Sequence, residues 1–308
     1  MEHDGENEAA YIGSIKWVPC EPMGCWPSQL TPLEHIVGER LTLQKDISNE
    51  TTQIHTSVNH VWKVCRGHPK VIRRAFMNNY KVKRLSSCAY VLRPEKLVKF
   101  DDHRIGICTP RMTMDLYQLL RSPFDLSRVW DGLTGVAQGI AWMHSNGLAH
   151  RDVKPENIVL DHERFCLIDF DFSSSLRTYT HCGTATYTIP RHVAESWKCT
   201  DKERSMRHDV YAFGKTVLFV LCCAVTMKMI ARGEIVFELY DIEVVPTDTK
   251  NPFTGVEAQW FNIAIQCCQS DPPVRIPLAD LTTHTRTATY TGADVASPQV
   301  VYADYSVA

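Results

Sequence analysis

Interpretable patterning of apolar and polar positions starts near residue 40. Residues 40–44 (Arg-Leu-Thr-Leu-Gln) alternate, residues 45–51 form a polar stretch, residues 53–58 alternate again, and Val61-Trp-Lys-Val-Cys65 follows a turn at Asn59-His60. A period of two predicts three short strands. From Pro69 to Ser87 the apolar positions fall at 71/72, 75/76 and 80, which is the spacing of a helix. Two more strands, 96–100 and 104–108, are joined by Asp101-Asp102-His103. The result is a small sheet with one helix.

Beyond Met112 the period becomes helical. Val129, Trp130, Leu133, Val136, Ala137, Ile140 and Ala141 make one stripe, with Asp125 or Ser127 suited to cap its start and Asn146-Gly147 its end. A strand-and-loop stretch runs to about residue 190, with a short strand at 165–168, and is followed by an apolar helix from Asp209 to about Thr226 and an amphipathic one from Ala258 to Cys268. Residues 1–30 and the Thr-, Ala- and Ser-rich 285–308 carry no such period and are expected to be flexible arms. The chain is thus expected to be α+β. A small β-rich N-lobe with one helix spans 31–111, and a larger, mainly helical C-lobe spans 112–284. A loop bearing Asp and Lys at their junction predicts an enzyme with its chemistry in a cleft.

Composition narrows the class. Of 308 residues, 44% are hydrophobic and 22% charged, enough for a sizeable core, and 33 Lys plus Arg against 35 Asp plus Glu leave a net charge of −2. No global positive field draws the chain to nucleic acid or to a membrane surface, so neither is an expected partner. The longest apolar run, Val217–Val225, is nine residues, against the roughly 20 that span a bilayer. Twelve cysteines scatter without a C-x-x-C, and the adjacent pairs Cys222-Cys223 and Cys267-Cys268 sit in apolar stretches, as small core residues of a reducing compartment do. The acidic first twenty residues do not read as a secretory leader. The expected location is intracellular, cytoplasm or nucleus.

The chemistry concentrates in His150-Arg-Asp-Val-Lys-Pro-Glu-Asn157, followed by Leu167-Ile-Asp169-Phe170. Phosphoryl transfer asks for cations, metal ions and an oriented hydroxyl more than for a covalent partner. Asp152 is suited to accept a hydroxyl proton, Lys154 to reach the migrating phosphate, and Asn157 and Asp169 to offer the hard oxygen ligands Mg²⁺ takes. The segment resembles the protein-kinase catalytic loop, H-R-D-x-K-x-x-N, and the later D-F-x metal motif. Further matches follow in order: Lys63 on the third strand, Gly183-Thr-Ala-Thr-Tyr-Thr-Ile-Pro190, Asp209-Val-Tyr-Ala-Phe-Gly214 and Asp271-Pro-Pro-Val-Arg275. Lys154 is similar to the serine/threonine branch, and Thr109–Leu120, with its proline and Asp115-Leu-Tyr, resembles the hinge of herpesvirus-type kinases. That points to a kinase of a large DNA virus, acting in its host cell.

The resemblance implies a bilobal protein-kinase fold that uses ATP and Mg²⁺ to phosphorylate Ser/Thr hydroxyls of protein substrates. By it, Lys63 contacts the α/β phosphates, Asp115 meets the ribose and Val61 and Val159 sandwich the adenine. Asn157 and Asp169 hold metal, Asp152 and Lys154 act on the transferring group, Asp209 braces the catalytic-loop backbone, and Arg151 docks a phosphorylated segment carrying Ser173, Ser174, Ser175, Thr178 and Thr180. Several departures stand against it. The loop 45–51 has no glycine, so Ser48 or Asn49 would have to supply hydrogen bonds to phosphate. The helix has Asn78 or Asn79 where the family's glutamate pairs with the lysine. Asp171 replaces the glycine of D-F-G, and is expected to point to solvent rather than to bind a second cation. Arg191 takes the place of a glutamate. The cations of the 70–84 helix (Lys70, Arg73, Arg74, Lys81, Lys83 and Arg84) read as a solvated face, with docking of an acidic partner as the functional alternative. The alternative to an active kinase is a weak or inactive pseudokinase serving as a binding module.

Overall fold

A computed structural model describes residues 40–101, 103–161, 164–177, 179–231, 251 and 253–268. The expected arms, Thr178 and the 271–275 motif lie outside the described residues. The chain forms two compact units. Of the described residues, the first comprises those from 40 to 87 together with 92–112 and 169–171; the second comprises those of 88–91, 113–168 and 172–268.

The first unit is built on a five-stranded antiparallel sheet of order β1-β2-β3-β5-β4. Its strands are β1 (Thr42–Leu43), β2 (Thr52–Thr56), β3 (His60–Arg66), β4 (Lys96–Asp101) and β5 (Arg104–Pro110). Side chains of β3 alternate between the two faces. Trp62 and Val64 bury with Leu41, Val98, Phe100 and Cys108, whereas Cys65 joins Ile105 and Ile107 beneath Ile72, Ala75 and Phe76 of helix α1 (Pro69–Arg84). Lys63, two residues before Cys65, shares the face that α1 covers. Pro69 at the first helical position and the His68 ring, which accepts from the Lys70 N–H, start α1; the helix stops at Arg84, three residues short of the expected Ser87.

The second unit is mainly helical. Its elements in chain order are β6 (Met114–Asp115), α2 (Leu116–Leu119), α3 (Leu126–Ser145), β7 (Leu148–Ala149), β8 (Ile158–Leu160), β9 (Phe165–Leu167), β10 (Ser174–Ser175), α4 (Arg191–Ser196), α5 (Asp201–Ala231) and α6 (Gly255–Cys268). β6, β8 and β9 form one small sheet, and β7 pairs with β10. Asp125 caps α3 by accepting from the Ser127 N–H at 2.9 Å, and Gly147 beyond its end takes φ 74°. Helix α5 begins eight residues before the expected Asp209. Thr200 and Glu203 close a capping box: the Glu203 carboxylate accepts from the Thr200 N–H at 2.9 Å and the Thr200 hydroxyl from the Glu203 N–H at 3.3 Å. By length and composition α5 could cross a membrane, yet 72% of its most apolar window is buried within the protein, as in a core helix. Stacking of Trp130 on Trp260, centroids 4.9 Å apart, joins α3 to α6.

Candidate active site

In the second unit the loop after β7 carries His150, Arg151 and Asp152. Arg151 has φ 70°, a left-handed conformation that costs a non-glycine residue roughly 1 kcal/mol or more. The buried Asp209 of α5 holds it there. One Asp209 oxygen accepts from the Arg151 N–H at 2.7 Å, the other from the His150 N–H at 2.8 Å and from the His144 ring at 2.8 Å. Burial pushes the Asp209 carboxyl up, but these donors outweigh it and hold the group below the usual carboxylate range.

Asp152, also buried, sits at the centre of a hydrogen-bonded network. Its Oδ1 accepts from the Thr184 N–H at 2.9 Å and the Thr184 hydroxyl at 2.8 Å. Its Oδ2 accepts from Asn157 Nδ2 at 2.9 Å and lies 3.2 Å from Lys154 Nζ, which also donates to the Thr184 hydroxyl at 2.7 Å. Asn157 Nδ2 donates in addition to the Asp152 carbonyl at 2.8 Å. With both amide hydrogens committed to Asp152, the oxygen of Asn157 is the atom of that side chain left to accept or to ligate. Sequence reading missed the part played by Thr184, although the Gly183-Thr184 signal was visible. Gly183 allows the approach: at φ 106° its backbone packs so closely that an added Cβ would lie 2.5 Å from the Arg151 carbonyl oxygen. The Arg151 side chain donates to Ser174 and Thr180, both at 2.8 Å, and contacts Cys182, so it gathers the segment whose phosphorylation the resemblance implies. Ser173 is buried and donates to the His150 carbonyl.

In the first unit, Lys63 Nζ lies 2.7 Å from Asp169 Oδ2 and 2.9 Å from Asp171 Oδ2. The expectation that Asp171 points to solvent is overturned. Its carboxylate also accepts from Asn79 Nδ2 at 2.8 Å, and Asn78 Nδ2 donates to its carbonyl at 2.9 Å. Burial pulls the Lys63 ammonium down, but Asp169 and Asp171 together push it well above the ordinary lysine range, so it stays charged. Burial and the adjacent Asp169 push the Asp171 carboxyl up, opposed by Lys63 and Asn79. Asp169 has φ 64°, a second left-handed non-glycine residue.

The nucleotide-contact residues expected from the resemblance fall on ordered strands. Asp115 and Val159 are register partners across β6 and β8, and Asp115 caps α2 by accepting from the Gln118 N–H at 2.7 Å. Burial raises its carboxyl, which that N–H partly counters. Val61 is half-buried on β3. Ser48 and Asn49 do not stand ready for phosphate. Ser48 donates to the Gln44 carbonyl at 2.6 Å, and Asn49 accepts from the N–H groups of Thr51 and Thr52, each at 2.9 Å, so both knit the loop to itself. Of the α1 cations, Lys70, Arg73, Arg74, Lys81 and Arg84 are exposed, whereas Lys83 donates to the Glu95 carbonyl. Donor atoms of His60, Glu95 and Cys108 lie within 4.8 Å of one another, a cluster that sequence spacing does not reveal, and His60 pairs with Glu95 at 3.1 Å.

The protein kinase domain family matches residues 45–285, and this chain belongs to that family as a divergent member. Among similar proteins, a serine/threonine-protein kinase homologue of Acanthamoeba polyphaga mimivirus is 28% identical over 197 residues, 59% of this chain and 64% of that protein. Cyclin-dependent kinase F-3 of Oryza sativa subsp. japonica is 30% identical over 108 residues, 33% of this chain and 25% of its own length. A dual serine/threonine and tyrosine protein kinase of Apis mellifera is 38% identical over 120 residues, 38% of this chain and 12% of its own length. The chain therefore spans less than two thirds of these relatives.

Proposed function

We propose that the chain is an ATP-dependent protein serine/threonine kinase. The observation that carries this reading is the Asp152–Lys154–Asn157–Thr184 network, in which a buried carboxylate is fixed beside a cation and an amide. Asp152 orients a Ser or Thr hydroxyl and accepts its proton while the hydroxyl oxygen bonds to the γ-phosphorus and the bond to the β-phosphate oxygen breaks, releasing ADP. Lys154 offsets negative charge on the migrating group, and Lys63 offsets charge on the remaining phosphates. Asn157 and Asp169 are the residues that would hold Mg²⁺, which when bound supplies charge neutralisation on the phosphates. Lys154 and Thr184, joined at 2.7 Å, support the serine/threonine branch over the tyrosine one. The hinge-like Thr109–Leu120 and the mimivirus relative support a large-DNA-virus origin.

A second reading, a pseudokinase used as a binding module, is favoured by the self-bonded, glycine-free 45–51 loop. Transfer of labelled γ-phosphate to a mixed Ser/Thr/Tyr peptide library separates the two. The kinase reading expects transfer to Ser and Thr peptides that is abolished in both Asp152→Asn and Asp169→Ala. Equal background in wild type and both variants, with nucleotide-dependent thermal stabilisation retained, would establish the module instead.

A further inference from the structure

A kinase of this family needs an anion to hold its strand lysine in place, and helix α1 has none to offer. Asn78 and Asn79 are buried at the position where that acid is expected, and their nitrogens point at Asp171: Asn79 donates to its carboxylate, Asn78 to its carbonyl. The other Asp171 oxygen takes Lys63 at 2.9 Å. We infer that Asp171 is the positioning residue for Lys63, the anion having moved from the helix to the segment that follows the metal ligand, with the helix retained as an amide clamp on the relocated acid. The inference rests on the kinase reading for its catalytic consequence, but not for the ion pair itself.

Three features make this a substitution of one device for another, beyond the loss of the usual pair. The two changes are complementary. A carboxylate on α1 would face the Asp171 carboxylate and repel it, while a glycine at 171 would leave Lys63 with Asp169 alone. The amide is also the right replacement: Asn79 Nδ2 donates to Asp171 Oδ1 and to the Ala75 carbonyl at 2.9 Å, so both its protons are used. Finally, Asp169 has a second duty. When Asp169 serves Mg²⁺, Asp171 remains as the permanent partner of Lys63, and the lysine need not be shared between metal site and phosphate.

Segment 169–171 and helix α1 are thus tied through Asp171, which also holds Lys63.

The test combines transfer kinetics with a stability cycle. Asp171→Asn keeps the shape and removes the charge; misalignment of Lys63 is expected to lower kcat on the order of 10²-fold, beyond any change in KM for ATP. Asp171→Gly is expected to be at least as damaging, and Asp171→Gly combined with Asn79→Glu, which returns the acid to the helix, to recover most of the loss. Far-ultraviolet circular dichroism and melting confirm that each variant folds. A wild-type rate in Asp171→Asn, or a double variant no better than Asp171→Gly, would overturn the inference. If the wild type transfers no phosphate at all, the kinase reading fails separately and the ion pair is judged by denaturant unfolding of Lys63→Met, Asp171→Asn and their combination. Non-additive losses uphold the pairing, and strictly additive ones sink it.

Discussion

Among the described residues, Arg151 at φ 70° and Asp169 at φ 64° carry left-handed backbone without being glycine, and both flank the candidate site. Such conformations persist only where surrounding bonds over-determine them. Asp209 does this for Arg151 through two backbone N–H groups. Gly183 is the third special position, and there only glycine fits, since a Cβ meets the Arg151 carbonyl at 2.5 Å and φ 106° excludes L side chains. Gly183→Ala is expected to displace Thr184 from Asp152 and to lower kcat/KM by about 10²-fold, read in the peptide transfer assay with melting as control. The residue scale also holds the main correction to sequence reading. Asp171 looked like an acid added near a metal ligand and left to solvent. Only the fold reveals that Lys63 and Asn79 converge on it from residues 108 and 92 positions away.

At the scale of elements, the helix and the longer strands of the first unit followed from period alone, because their apolar positions bury in two clusters, one on each face of the sheet. Boundaries fared less well. The start of α5 was placed at Asp209 because its apolar stripe begins there, but the Thr200–Glu203 capping box sets the start at Asp201. That box is written in the sequence as Thr-Asp-Lys-Glu and could have been read. α5 matters because it delivers Asp209 to the catalytic loop. Asp209→Ala would leave the His150 and Arg151 N–H groups and the His144 ring without their buried acceptor. The expected cost is about 3–5 kcal/mol of unfolding free energy, measured in urea. A loss below about 1 kcal/mol would show that the loop finds other acceptors.

For the molecule as a whole, the fold is expected to weaken in mild acid, and His208 gives one identifiable reason. Burial holds its ring down to about 4, against an ordinary 6.5; Asp209 and Asp152 oppose the shift, while Arg151 and His181 reinforce it. The Tyr179 hydroxyl also lies 3.4 Å from its Nδ1. Between those two values the unfolded chain binds a proton that the folded one refuses. This contribution is therefore complete above about pH 6.5 and is lost as pH falls toward about 4, at up to about 1.4 kcal/mol per pH unit. Chemical unfolding across that window should show a shallower slope in His208→Gln than in wild type. An unchanged slope would assign the acid sensitivity to other groups.

The sequence by itself determined the fold class, the order of elements, the family and the loop His150–Asn157, because these are local: hydrophobic period sets helix and strand, and the motif's spacing lies within eight consecutive residues. The tertiary structure alone decided which groups partner which. Thr184 came to Asp152, Ser48 and Asn49 to their own turn, and Asp171 to Lys63 in place of the acid missing from α1. Ion pairs and hydrogen bonds depend on distances of a few ångströms between residues far apart in the chain. No periodicity encodes those distances until the core has closed around them.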